Sequence, residues 1–322
     1  MEPIVGSAYV LDDVNQLSQL VQREVCLQFS LHPTMITHPI AATTLRDPVH
    51  HQGYLIYHSK YIFNFCHPEV SNQTDALVQD LKLASQLKCD VIIHQGKNVT
   101  EEKMTKMEAI NNYVCNISEV LEQTASRCYT PGAEPSTETM IWLENSAGQG
   151  TELGYTLAEL AFIYHQFEDT ARERLGFCLD TCHAFAAGQL DLRRLDSTVQ
   201  FFGEFDQQIG LDHLRCLHLN DSGVSFGARR DLHGDLMGGY ITNPLLGGSL
   251  EGMQWLVEWA THQRVPMIFE TPCLLPGQGE RQLEIVRQWS RGQVINLVDY
   301  KEVQQKSYEY YQLKNRRHKL KI

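Results

Sequence analysis

The chain has 322 residues, with 43% hydrophobic and 20% charged side chains, the length and composition of a soluble globular protein with a full core. No apolar run approaches the ~18 residues of a membrane helix, and the start Met1-Glu-Pro-Ile-Val5 lacks a signal peptide's basic flank and apolar block. We therefore expect a soluble, intracellular protein with no membrane role. The formal net charge of −12 excludes a general polyanion binder, unless some of the acids hold cations. Three bound dications would move the balance to about −6 and gather positive charge in one cleft.

Short β-rich apolar runs alternate with helix-length amphipathic stretches along the whole chain. In order, strands are predicted at residues 3–5, 25–29, 54–57, 91–93, 140–143, 176–179, 214–217 and 266–269. Helical stretches between them include 76–87, 102–122, 153–166 and 250–262. Eight strands alternating with helices give the arithmetic of a single (β/α)8 TIM barrel. No internal repeat or Pro/Ser-rich linker divides it. The barrel domain is placed at residues 1–300 and a basic, aromatic C-terminal tail at 301–322. The nine cysteines show no Cys-x-x-Cys pair, which predicts reduced, mostly buried thiols. Cys178 and Cys182 bracket Asp180, and packing is the expected role for both sulfurs.

The predicted strands end on a recurring kind of residue. The run 54–57 ends at His58, 91–93 at His94, 140–143 at Glu144, 176–179 at Asp180, 214–217 at His218 and 266–269 at Glu270. That end of the strands is the face where barrels carry active sites. His183, Asp231 and His233 fall in loops just beyond. Taken singly, each has an ordinary reading: a hydrogen-bonded structural histidine, a helix cap for Asp180-Thr181, a solvated acid in a turn. Their conjunction argues otherwise. Four carboxylates gathered at one barrel mouth repel one another unless cations neutralise them, and imidazole with carboxylate is a ligand set for zinc.

At these residues the sequence resembles the endonuclease IV family of metal-dependent apurinic/apyrimidinic (AP) endonucleases. The resemblance is carried by Leu143-Glu-Asn-Ser-Ala-Gly-Gln-Gly150 and by Cys178-Leu-Asp-Thr-Cys-His-Ala-Phe-Ala-Ala-Gly188. A third motif is His218-Leu-Asn-Asp-Ser222 running on through Phe226-Gly-Ala-Arg-Arg-Asp-Leu-His233. It extends from about Tyr54 to about Pro272. It implies a barrel with a trinuclear zinc site, where manganese or another divalent ion could take one position. His58 and His94 would hold the first ion, and Glu144 would bridge it to the second. Asp180, His218 and Glu270 would complete the second; His183, Asp231 and His233 would hold the third.

The implied reaction is hydrolysis of the phosphodiester 5′ to an abasic site in duplex DNA, leaving a 3′-hydroxyl and a 5′-deoxyribose phosphate. Trimming of blocked 3′ ends at the same centre is also implied. Glu144 is the expected catalytic residue. An abasic nucleotide is already unstacked, so flipping it out costs less than flipping a paired one. Tyr61 matches a family aromatic at the DNA gap, with packing beneath its loop as the competing reading. Arg229 and Arg230 are candidates for phosphate contact, against simple solvated charge. A monomer is expected.

The chain departs from the family at Gly6-Ser-Ala-Tyr9, where a Gly-x-His-like segment is usual. It departs again at Phe29-Ser-Leu-His-Pro-Thr-Met35, where no Arg is evident. Residues 241–249 read as an extended loop near the active face. The segment 306–321, with three tyrosines and a basic end, suits a DNA grip, an import address or a solvated terminal helix. Two other functions stay open on sequence alone: a metal-dependent sugar isomerase or epimerase on the same barrel, and a catalytically silent DNA-damage-binding protein.

Overall fold

A computed structural model describes residues 1–22, 26–31, 53–98, 104–125 and 139–319. The strands in chain order are β1 (Val5–Leu11), β2 (Cys26–Leu31), β3 (Tyr54–His58), β4 (Asp90–His94), β5 (Ile141–Glu144), β6 (Leu175–Asp180) and β7 (Leu214–His218). Two-residue strands β8 (Asp221–Ser222) and β9 (His233–Gly234) follow, and β10 (Met267–Phe269) completes the set. Eight of them close a parallel barrel in the order β1-β10-β7-β6-β5-β4-β3-β2, while β8 and β9 form a separate antiparallel pair. Helices between the barrel strands cover its outside, among them Ser71–Leu87, Lys106–Gln123, Leu157–His165, Leu195–Gln208 and Glu251–Gln263.

Residues two apart on a strand share a face, and the barrel interior uses that period as a two-storey plan. Cys26, Ile56, Ile92, Trp142, Cys178, Cys216 and Ile268 form one buried apolar cluster with Ile4. Two positions further along the same strands stand Gln28, His58, His94, Glu144, Asp180, His218 and Glu270. The apolar storey is thus the floor beneath a polar one at the C-terminal mouth. The opposite parity faces the helices: Phe29, Tyr57, Ile93, Leu143, Phe177, Leu217 and Met267 belong to the large outer core. A one-residue slip of any strand would turn its polar group into that apolar layer, so the register is strongly specified.

Only β1 brings no donor to the upper storey, since its pair is Gly6 and Ala8. Gly6 has a steric reason: a Cβ there would lie 1.7 Å from the Cys26 carbonyl oxygen, so the close approach of β1 to β2 admits only glycine.

Several boundaries differ from the sequence expectation. β1 runs from Val5 to Leu11 rather than over 3–5, because Ser7 through Leu11 find parallel partners from Leu27 to Leu31 despite the broken apolar run. The helix expected over 153–166 begins at Leu157, where the Thr156 side chain accepts from Glu159 N–H. Gly154, at φ +71°, turns the chain just before it. The helix expected from 102 starts at Lys106 with a capping box between Thr105 and Glu108. Residues 25 and 102 lie outside the described ones, as do most of the 29–35 loop and Cys128. The other eight cysteines are free thiols. The terminal segment is a helix, Lys301–Lys319, with Val303 and Tyr311 buried. No helix among the described residues is long and apolar enough to cross a membrane.

Candidate metal centre

The nine ligand-type residues singled out from the sequence all converge on the barrel mouth. Around Glu144, His58 Nε2 lies 3.0 Å and His94 Nε2 3.4 Å from Oε2, while His218 Nδ1 lies 3.0 Å and His183 Nδ1 3.4 Å from Oε1. His218 Nδ1 also faces Glu270 Oε2 at 3.1 Å and Asp180 Oδ2 at 3.8 Å. Beyond them, His183 Nε2, His233 Nε2 and Asp231 Oδ1 form a triangle whose three sides are each 3.3 Å.

That triangle tests whether the residues fit a cation. A tetrahedral ion with bonds of about 2.0–2.1 Å holds its ligand atoms about 3.3–3.4 Å apart, which is the spacing found. With Nδ1–H of both rings committed to carbonyls, the two Nε2 atoms face each other across a space that a shared proton or a cation can fill. The donor chemistry fits as well, since five imidazoles and four carboxylates suit zinc or a similar transition ion better than an oxygen-seeking one.

Hydrogen bonds select which ring nitrogen four of the five histidines offer. Nδ1–H donates to a backbone carbonyl in His58 (Ser59, 2.8 Å), His183 (Asn145, 2.9 Å) and His233 (Glu270, 3.1 Å), which leaves Nε2 as the free donor atom. His218 is reversed: its Nε2–H donates to Gln28 Oε1 at 2.8 Å and Nδ1 faces the carboxylates. Asp180 serves two purposes at once. Its Oδ1 accepts from His183 N–H at 2.7 Å, capping the short helix Thr181–Ala186, while Oδ2 lies 3.5 Å from His233 Nε2. The helix cap, the competing reading on sequence, uses Oδ1 and leaves Oδ2 facing His233.

Electrostatics within the cluster follow from this packing. Burial opposes ionisation of Glu144, yet the imidazoles of His94, His218 and His58 hold its carboxyl well below the ordinary range. Burial likewise disfavours charge on Glu270, and His218 brings its carboxyl down to about 2. Burial alone would lower His218 and His183; instead Glu270 and Glu144 raise the first well above its ordinary value, and Asp180 with Asp231 raise the second. His94 moves down, through burial and the neighbouring His58 and His183 rings, against the pull of Glu144. Cations and protons therefore compete for the same nitrogens. Cys178 and Cys182 lie close to these ligands, but burial pushes both thiols well up, so they pack as neutral groups.

Three polar residues that the sequence reading passed over complete the centre. Gln28 joins His218 to Glu270, its Nε2 donating to Glu270 Oε1 at 2.6 Å. Asn145 accepts from Asp180 N–H at 2.7 Å and donates to its carbonyl at 3.1 Å. Asn220 donates to Asp180 Oδ2 at 2.7 Å and accepts from Glu270 N–H at 2.9 Å. Gln28 was visible as the lone amide in an apolar strand; the two asparagines lie one and two residues past proposed ligands.

The mouth is a cavity of about 630 Å³ whose lining includes His58, His94, Glu144, His183, Asp231, His233 and Glu270. Tyr61 borders it and a second cavity of about 410 Å³ that also reaches His94, His183 and Asp231. Its side chain is 70% exposed. The turn that presents it is fixed from below, since buried Asp80 accepts from Tyr57 Oη at 2.8 Å and Ser59 Oγ at 2.9 Å and pairs with Lys60. Arg229 and Arg230 sit beside Asp231 and are partly engaged. Arg229 Nε donates to the Gly148 carbonyl at 2.8 Å, with its guanidinium 4.5 Å from the Tyr155 ring centre. Arg230 donates to Asn315 Oδ1.

A closed parallel barrel with ligand-type side chains at the C-terminal ends of its strands defines a class, and the sequence profile of the xylose isomerase-like TIM barrel family matches residues 14–288. A putative endonuclease 4 of Acanthamoeba polyphaga mimivirus is 36% identical over 231 residues, 70% of this chain and 68% of that one. Apurinic-apyrimidinic endonuclease 1 of Schizosaccharomyces pombe is 30% identical over 237 residues, covering 72% and 62%. The crystal structure of endonuclease IV from Thermus thermophilus superposes with a TM-score of 0.65 at 22% identity, over 90% of this chain and all of that one. The chain belongs to the endonuclease IV family and is an enzyme of the nuclease, phosphodiester-hydrolase kind.

Proposed function

We propose that the protein is a DNA-repair AP endonuclease that cleaves duplex DNA 5′ to an abasic site, leaving a 3′-hydroxyl and a 5′-deoxyribose phosphate. Removal of blocked 3′ ends would proceed at the same centre. The observation that carries this reading is the 3.3 Å triangle of His183, Asp231 and His233 set beside the Glu144 cluster. It supports a third subsite at the mouth, which a sugar isomerase or epimerase with one or two metals would not need. His58, His94 and Glu144 would hold one zinc ion, Glu144, Asp180, His218 and Glu270 a second, and His183, Asp231 and His233 the third; manganese or another divalent ion could replace one. Such ions supply Lewis acidity towards phosphoryl oxygens and make water a usable nucleophile at neutral pH.

The protein's own groups do the rest. Glu144, wholly buried, offers one oxygen to each of two ligand sets and fixes their separation. The carbonyls of Ser59, Asn145 and Glu270 hold three imidazoles in one tautomer, so no reorganisation is needed when the anionic diester arrives. Tyr61, exposed between two cavities, would fill the gap left by the missing base. Arg229 and Arg230 each keep N–H groups beyond those already used and would meet the backbone phosphates.

The test is incision of a duplex carrying one stable abasic analogue, with metal content measured on the same preparation. Cleavage 5′ to the analogue with about three metals per chain, lost in Glu144→Ala, is the expected result. An intact duplex from a fully metallated protein would overturn the reading in favour of a sugar substrate or a binding role.

A further inference from the structure

The helix Lys301–Lys319 lies beyond the residues 14–288 that the family profile covers. One of its faces is nevertheless built into the loop that carries Asp231 and His233. Ser307, Tyr311 and Asn315 are spaced four residues apart and so form a single stripe. Tyr311 is fully buried, and its hydroxyl donates to the backbone carbonyl of His233 at 3.2 Å. Asn315 Nδ2 donates to the Gly223 carbonyl at 3.2 Å, and its Oδ1 accepts from Arg230.

The loop is shaped to receive that stripe. A Cβ on Gly223 would come within 2.6 Å of the Tyr311 ring, one on Gly234 within 3.2 Å of its hydroxyl, and one on Gly238 within 2.6 Å of Ser307 Oγ. Three glycines thus open the slots that two helix residues, Ser307 and Tyr311, occupy. The ladder that places His233 has little support of its own, since β8 and β9 pair over two residues each, well short of a hairpin that stands alone.

We infer that Tyr311 and Asn315 are positioning residues for the triangle of His183, Asp231 and His233, and that the C-terminal helix sets how firmly a cation is kept there. This rests on the metal-dependent reading proposed above. Tyr311 acts through the His233 backbone, and Asn315 through Gly223 and through Arg230, the residue just before Asp231.

The experiment uses the full chain as wild type, Tyr311→Phe and Asn315→Ala. Zinc-loaded proteins are stripped with a chromophoric chelator, and amide exchange over residues 223–243 is followed on the metal-free proteins. One zinc ion is expected to leave about tenfold faster in the variants while the others keep wild-type rates, with faster exchange confined to 223–243. Wild-type release in both variants, or exchange raised across the whole barrel, would overturn the inference. A wild type that takes up no zinc would overturn the metal reading beneath it, so the two failures are distinguishable.

Discussion

Gln28 and His218 meet at 2.8 Å, the glutamine's amide oxygen accepting the Nε2 proton. Because that proton is committed, Nδ1 of His218 is the atom left to face Glu144 and Glu270, at 3.0 and 3.1 Å. The same amide donates to Glu270 through its nitrogen. Gln28→Leu keeps the volume and removes both bonds. Groups that orient metal ligands typically matter by about 10–100-fold, so zinc affinity at the shared site is expected to fall by about that factor. A competition titration against a calibrated chelator reads it, with circular dichroism to show an intact barrel.

Much of this centre was legible because His, Asp or Glu recurs at one structural position. His58, His94, Glu144, Asp180, His218 and Glu270 each follow an apolar run, and a period-2 strand whose inner face changes from apolar to polar declares where its mouth lies. What escaped depends on groups distant in sequence. Gln28 reads as a strand residue until His218, 190 positions away, is brought beside it. The length of β1 escaped for the same reason, since its pairing with β2 and not its own hydrophobicity defines it. The role of the terminal helix was hidden too: its basic composition suggested solvent or DNA, whereas its burial rests on Tyr311 fitting between Gly223 and Gly234.

Closure of the barrel between β1 and β2 depends on Gly6. With the Cys26 carbonyl oxygen only 1.7 Å from where a Cβ would sit, Gly6→Ala forces the two strands apart along a ladder of five register pairs. Overpacking of this kind costs typically about 1–3 kcal/mol, and here the obstructing atom is backbone. The urea midpoint should fall accordingly, with the slope of the transition unchanged. A midpoint equal to wild type would mean that the ladder yields freely.

Asp221 gives a stability signature that depends on pH. It is wholly buried and accepts from the N–H groups of Ser222, Gly239, Ile241 and Thr242. Burial still dominates and lifts its carboxyl from 3.8 to about 6. Between those values the folded chain holds a proton that the unfolded chain has lost. This contribution is therefore full below about pH 4 and is lost as pH rises through about 6. A shift of about two units corresponds to roughly 3 kcal/mol. Unfolding of metal-free wild type and Asp221→Asn, followed from about pH 4 to about pH 7.5, should show the wild type losing about that much relative to the variant. Parallel pH profiles would show that the loop donors cancel the burial.

Cation binding should be readable from stability without any DNA. Five imidazoles and four carboxylates crowd one mouth, and the carboxylates raise His183 and His218 well above their ordinary range. A zinc ion that replaces those protons binds the folded chain far better than the unfolded one. Free zinc at about 1,000 times the dissociation constant then stabilises by about 4 kcal/mol per site, and the melting temperature should rise by several degrees. Magnesium, which prefers oxygen ligands and sheds water reluctantly, should do much less. Since the imidazoles must lose their protons to bind, the zinc-induced rise should be larger at about pH 8 than at about pH 6. Equal rises with zinc and magnesium would point to surface acids instead of the barrel mouth, and His233→Ala would separate the two by removing one corner of the 3.3 Å triangle.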